Sequence, residues 1–296
     1  MNPTKATTIA RVLELRHLYK TGQAAYPTNK EQAKMTPLDA VCWQCALILE
    51  GKRDLLTGSQ SKLDKANATG TGYINRGLTM SPADEAEPFL GKGYNACFGH
   101  TACCASVCVG AHTGQGRIPH SKVARLGRTI AMECFLDEFI RLLSFEIKIA
   151  ELEALRIGML LAMRLNVATD HWLLAERIAA LFPSVLFYDY SAIPSAVRNQ
   201  RRVQRVYSLK DGKDRMAKTL EILSQGYGAA VVFAISSRSK EPLPTTWKGY
   251  PVINGDQDDL WPTRKPESGP FIVGLKVKGT KAQVAQAIQK GFAVAA

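Results

Sequence analysis

Four of the seven cysteines fall between Cys97 and Cys108, inside the run NACFGHTACCASVCVGAHTGQGR that spans residues 95–117. Cys97, Cys104 and Cys108 are spaced C-x6-C-x3-C, with Cys103 beside the second and His100 and His112 interleaved. A thiolate is a nucleophile, a redox centre and a soft metal ligand. The cluster therefore has three explanations: a metal or iron–sulfur centre, a redox pair, or packing of small apolar side chains. Three close thiolates can hold three irons of a [4Fe–4S] cluster and leave the fourth iron open. Zinc is the alternative: Cys97, His100, Cys103 or Cys104, and Cys108 supply a tetrahedral set, although the run lacks the paired CxxC…CxxC of a structural zinc site. Cysteines that only pack are the third possibility.

A second group of candidates sits where apolar stretches end. Arg164 and Asn166 interrupt the stretch MLLAMRLNV at residues 159–167. A buried charge needs a partner, and Asp170 or Asp189 is the expected one for Arg164. Tyr190 follows Asp189, and Lys210, Asp211 and Gly212 follow the next apolar run. Ser236, Ser237 and Arg238 end another, and Asn254, Gly255, Asp256, Asp258 and Asp259 follow the one after it. The run RNQRRVQR holds Arg198, Arg201, Arg202 and Arg205, which suits phosphate or equally a solvated face. Cys42 and Cys45 form a CxxC on an apolar helix, where core packing is the expected role. Lys62 and Lys65 are expected to be solvated. GxGxxG, Walker, GxSxG and HExxH motifs are missing from the sequence.

These residues need elements to position them. Helices are expected at 8–19 and 36–49, with Pro37 in the first turn of the second. The longest helical pattern covers 121–157 and ends at Gly158. Alternation of strand and helix follows, with strands at 77–80, 159–167, 185–190, 206–209, 229–236, 251–254 and 271–276. Helices fall between them at 170–181, capped by Asp170, and at 213–226, and a further helix follows the last strand at 280–289. Such alternation predicts parallel β/α units, whose sites form at the carboxyl ends of the strands. The expected fold is α/β: a partial, open (β/α) barrel of about six mostly parallel strands in residues 55–296, behind an N-terminal helical extension in residues 1–54.

Composition narrows the class. The chain has 296 residues, 46% hydrophobic and 22% charged, with net charge +12. It is long enough to bury a core without disulfides. The positive balance favours polyanions, so nucleic acid is an expected partner. No signal peptide and no uncharged apolar run of about 18 residues is visible, which leads to a cytoplasmic chain with reduced thiols and no membrane partner. Oligomeric state is not readable at this level.

The ordered motifs CFGHTACCASVC, RLNVATDHW, LFYDYS and GYPVINGDQDDLW resemble a family of phage and prophage proteins of the "gene product 88" type. The resemblance runs over roughly residues 55–280 and falls on Cys97, Cys104 and Cys108; Arg164, Asn166 and Asp170; Tyr188, Asp189 and Tyr190; and Gly255, Asp256 and Asp259. The family carries no established activity. Its cysteine cluster ahead of β/α units is similar to that of radical S-adenosylmethionine enzymes, whose own spacing is C-x3-C-x2-C. The likeness implies a [4Fe–4S] cluster on Cys97, Cys104 and Cys108. It also implies a cofactor and substrate pocket of Arg164, Asn166, Asp170 and Asp189, with Tyr190, Asp256 and Asp259 towards the cofactor. A nucleic acid or nucleotide is then the expected substrate, in the host cytoplasm. A replication-associated nucleic-acid-binding protein with zinc or no metal, and a host-interaction protein without metal, are the alternatives.

Overall fold

The computed structural model describes residues 5–57, 67, 70–112, 114–263 and 269–296. Lys62 and Lys65 lie outside them. Among the described residues nine strands make one sheet: β1 (Leu56–Thr57), β2 (Tyr73–Leu78), β3 (Leu160–Arg164), β4 (Leu186–Ser191), β5 (Val203–Ser208), β6 (Ala229–Ser236), β7 (Thr246–Trp247), β8 (Tyr250–Asn254) and β9 (Ile272–Val277). Their order is β1-β2-β3-β4-β5-β6-β9-β8-β7. The strands from β2 to β8 in that order all run parallel, and β1 and β7 pair antiparallel at the two edges. The fold is therefore α/β with an open, mostly parallel sheet. The sequence pattern leads to about six strands; the two-residue β1 and β7 are too short to carry an alternating pattern.

From β2 to β6 the strands lie in sheet order as they occur in the chain. Right-handed crossovers wound in one direction put their helices on one face. On that face Leu161, Met163, Phe187 and Val203 pack with Phe139, Leu143 and Ile147 of the helix Leu136–Arg156, and with Leu174 and Ile178 of the helix Trp172–Ala179. The helix Pro37–Leu49 shares this core and packs against the helix Pro119–Cys134. It is capped by Thr36, which accepts from the Asp39 N–H at 3.1 Å, and it opens on Pro37. Cys42 and Cys45 are fully buried there, as core residues.

The opposite face is covered differently. Leu260 packs on Ala162 and Tyr188, and Trp261 joins Val206, Ala230, Phe271 and Val273. The segment Asp256–Thr263 beyond β8 thus lies across the sheet.

Two expectations change. The long helical pattern is two helices, Pro119–Cys134 and Leu136–Arg156, broken at Phe135 (φ −138°, ψ 49°). Gly158 does end the second, with φ +73°. The helix after β3 begins at Trp172, with His171 rather than Asp170 at its cap position. No helix among the described residues is long and apolar enough to cross a membrane.

Candidate functional site

Arg164 closes β3 and is buried. Its Nη1 donates to Asp259 Oδ2 at 2.7 Å, its Nε stands 3.9 Å from Asp189 Oδ1, and its guanidinium lies 4.8 Å from the Tyr190 ring centroid. Asp259 is the hydrogen-bonded partner, Asp189 the second carboxylate, and Asp170 takes no direct part. Burial works against the guanidinium charge, but Asp259 and Asp189 outweigh it and raise its pKa.

Asp189 has no exposed surface. Its Oδ2 accepts from Asn166 Nδ2 at 2.6 Å and its Oδ1 from the Tyr190 N–H at 2.8 Å. Burial lifts its carboxyl to about 7, against the pull of Arg164 and Arg205. Asn166 also fixes the turn that follows β3: its Oδ1 accepts from Thr169 Oγ1 and from the His171 N–H, both at 2.9 Å. Asp170 is buried on the far side of that turn. Its Oδ1 accepts from Ser191 Oγ at 2.7 Å and its Oδ2 from the Ala192 N–H at 2.9 Å, tying β3 to the end of β4. Burial raises its pKa as well.

The cysteine run seats on these same strand ends. Cys97 Sγ accepts from the Ala83 N–H at 3.2 Å and donates to Ala168 O at 3.4 Å. Burial pushes its thiol up to about 12; the Ala83 N–H opposes this, and Cys108, Asp170 and Cys104 add to it. The three cysteines and Asp170 are therefore electrostatic neighbours. Burial raises Cys108 too, while the Ala111 and Gly110 N–H groups and Lys210 lower it. Thr101 caps the helix Ala102–Ser106 by accepting from the Cys104 N–H at 3.1 Å, and its hydroxyl donates to Asp211 beyond β5. Two glycines permit the close approach. A Cβ on Gly99 would stand 2.8 Å from Ala192 Cβ and 2.9 Å from Asp170 Oδ2; one on Gly110 would stand 2.8 Å from Ala168 Cβ.

The remaining candidates divide. Cys103 is buried against Val107, Val277, Ala287 and Ala293. His100 is exposed, with a ring nitrogen 2.9 Å from Cys97 O and 3.1 Å from Asn95 Nδ2. Among the described residues, no three or more His, Cys, Asp or Glu side chains converge on a metal position. Tyr190 donates to Asp259 O at 3.1 Å. Asp256 serves β9, accepting from the Lys276 N–H at 2.9 Å and pairing with Lys278 at 3.0 Å. The arginine run splits. Arg205 is buried in the helix–sheet interface with its guanidinium 2.5 Å from Glu176, so it offers no surface to a polyanion. Arg198 pairs with Glu221 at 2.5 Å, and Arg201 and Arg202 are exposed.

Sequence reasoning missed Asn75 and Thr101. Asn75 is fully buried on β2 and accepts from Tyr188 Oη at 3.2 Å. Its place as a polar residue inside a strand was a usable sign. So was the Thr-x-x-Cys spacing of a capped turn at Thr101.

This geometry defines a mostly parallel α/β protein with a cysteine-bearing loop seated on the carboxyl ends of its strands. The family profile described as Gene product 88 matches residues 53–296, and the chain belongs to that family of phage proteins. No curated protein and no solved structure matches the chain.

Proposed function

We propose that this is an iron–sulfur protein of radical S-adenosylmethionine-like architecture, acting on a nucleic acid or nucleotide. One observation carries the reading. Cys97, Cys104 and Cys108 follow the first parallel strand, β2, and gather beside Asp170 at the carboxyl ends of β3 and β4. The donors around sulfur suit thiolate ligands: Ala83 N–H points at Cys97, and Gly110 and Ala111 N–H at Cys108. Three thiols carried on one loop could each take a separate iron of a cluster.

Cys97, Cys104 and Cys108 would hold the [4Fe–4S] cluster, which when bound supplies one-electron reduction of S-adenosylmethionine at its open iron. Asp170, against Gly99, Asp211, which accepts from the Thr101 hydroxyl, and Lys210, which acts on Cys108, are charged groups beside that loop. Arg164, Asn166, Asp189, Tyr190 and Asp259 already engage one another and would form the floor behind it. Asp256, bound to β9, contributes to the adjoining turn. The substrate class rests on the +12 charge and on exposed Arg201 and Arg202.

The test is anaerobic purification with iron, sulfide and zinc counted and the visible spectrum recorded. About four irons per chain and a broad absorbance near ~400 nm, both lost on combined Cys97→Ala, Cys104→Ala and Cys108→Ala substitution, are expected. Cleavage of S-adenosylmethionine by the reduced protein follows. One zinc per chain would favour the non-enzymatic nucleic-acid-binding reading, and no metal from iron-replete cells would overturn the enzyme reading.

A further inference from the structure

We infer that the chain pairs with a second copy of itself through the helix Leu136–Arg156, the two helices antiparallel across a two-fold axis. One side of this helix is spent on the sheet, where Phe139, Leu143, Ile147, Ala150 and Ala154 are buried. The solvent side of such a helix is ordinarily charged. Here it exposes Phe145 (67%), Ile149 (42%), Leu152 (52%) and Leu155 (53%). The patch continues past the helix end through Ile157 (57%). It extends sideways to Leu181 (55%), whose loop is tied to the helix by the hydrogen bond from Ser184 Oγ to Glu151.

The area decides that this is more than scattered surface apolarity. Taking about 200 Å² for a fully exposed large apolar side chain, these six expose roughly 600 Å². That is the upper end of what a monomer carries, and with a polar rim it approaches the ~800 Å² that each partner of a stable pair buries.

The occupant follows from the order of side chains. A two-fold interface sets each residue of an antiparallel helix pair against the one equally far beyond the crossing point. With the crossing beside Ile147, Phe145 meets Ile149 of the second copy and Leu142 meets Leu152. Arg141 then meets Glu153, both exposed, and the same contact recurs on the other side of the axis. Arg156 meets Glu138, whose carboxylate also takes Arg16 at 2.9 Å. Apolar meets apolar and plus meets minus in one register, which an unrelated partner would not require.

Sedimentation equilibrium on the full chain, from about 1 to 100 µM at ~150 mM salt, reads the pairing. Physiological salt limits repulsion between two +12 chains. A dimer is expected. Phe145→Lys should raise the dissociation constant at least 100-fold, with a melting curve that matches the parent's at concentrations where the parent is itself monomeric, since the side chain is exposed in the single chain. Arg141→Glu should raise it about tenfold, because two symmetric pairs turn repulsive. The swap Arg141→Glu with Glu153→Arg should recover pairing to within about threefold of the starting chain. A wild-type chain that stays monomeric at ~100 µM, or Phe145→Lys that still pairs, overturns the proposal. A swap that fails to recover refutes the antiparallel register on which it stands.

Discussion

Replacing Asp259 by asparagine tests the description of the buried polar cluster most directly. Arg164 cannot shed its charge, and its Nη1 donates to Asp259 Oδ2 at 2.7 Å. Asp259→Asn keeps the shape and removes the charge. The guanidinium is left with Asp189 at 3.9 Å and the face of Tyr190 at 4.8 Å. Breaking a buried pair from one side costs about 3–5 kcal/mol, and the remaining carboxylate places this case near the lower figure. Such a loss is a large share of the ~5–15 kcal/mol that holds a typical domain together. The damage should spread along the chain, because Asp259 is followed by Leu260, which is fully buried, contributes about 2 kcal/mol and donates its N–H to Asp258 Oδ1 at 2.8 Å. Urea unfolding followed by circular dichroism gives the stability. Tryptophan fluorescence reports Trp261, whose Nε1 donates to Asn254 O at 3.2 Å. The midpoint should fall with little change in slope. The double variant Arg164→Met with Asp259→Leu, which buries no charge, should lose less than Asp259→Asn alone. A loss under ~1 kcal/mol for Asp259→Asn, or a double variant no better than the single, would refute the account of a dry, mutually dependent pair.

Three further outcomes are expected. Burial raises Asp189 to about 7 from 3.8, so between those values the folded chain holds a proton that the unfolded chain has released. This contribution is present below pH 3.8 and is lost as pH rises to about 7; Asp189→Asn should remove that fall when melting temperatures are compared with the parent from pH 5 to 8. Gly99→Val should cost about 1–3 kcal/mol and reduce metal loading, because its Cβ would meet Ala192 Cβ at 2.8 Å and lift the cysteine run off the strand ends. Arg205→Ala should cost about 1.5–3 kcal/mol in thermal or urea unfolding by removing the charged partner of Glu176, which keeps the Arg202 N–H at 3.0 Å, whereas Arg201→Ala and Arg202→Ala should each stay within about 0.5 kcal/mol. If nucleic acid is the partner, only those last two should flatten the salt dependence of binding, by about one phosphate each.

The sequence was most legible where composition broke a pattern. Arg164 and Asn166 stand out because charge and amide interrupt an apolar strand, and the structure buries both at its carboxyl end. The partner of Arg164 was not legible. Asp259 lies 95 residues away, beyond β8, and reaches Arg164 only by crossing the sheet. Nothing local to either residue records that crossing. Arg205 was legible in part: its neighbours two positions away, Val203 and Tyr207, are buried apolar residues, so period-two alternation puts Arg205 on the helix-packed face. Treating the arginines as one run hid that parity. The break at Phe135 had no glycine or proline to announce it, and two amphipathic helices in near-continuous phase read as one.

Other buried guanidinium groups are met simply: Arg205 and Arg125 pair with Glu176 and with Glu85 at 3.0 Å, and Arg128 donates to the Asp54 carbonyl at 3.1 Å. At the carboxyl ends of β3 and β4 the balance differs. Arg164 meets Asp259 and Asp189, Asp170 is buried close by, and Arg205 and Lys210 draw on these carboxylates from further off. A dry cluster with that excess of carboxylates is costly unless a proton or a cation offsets it. Burial assigns the proton to Asp189, at about 7. Replacing such an arrangement by well-packed apolar residues is often neutral or stabilising, so folding alone gives little reason to keep it. Local rules are broken together at sites of function, and here they are broken beside the cysteine run. The proposed cofactor carries a sulfonium and an ammonium group, so its positive charge would suit strand ends with carboxylates in excess. The same excess would disfavour a phosphate at this spot, which leaves polyanion contacts to the exposed arginines rather than to the strand ends.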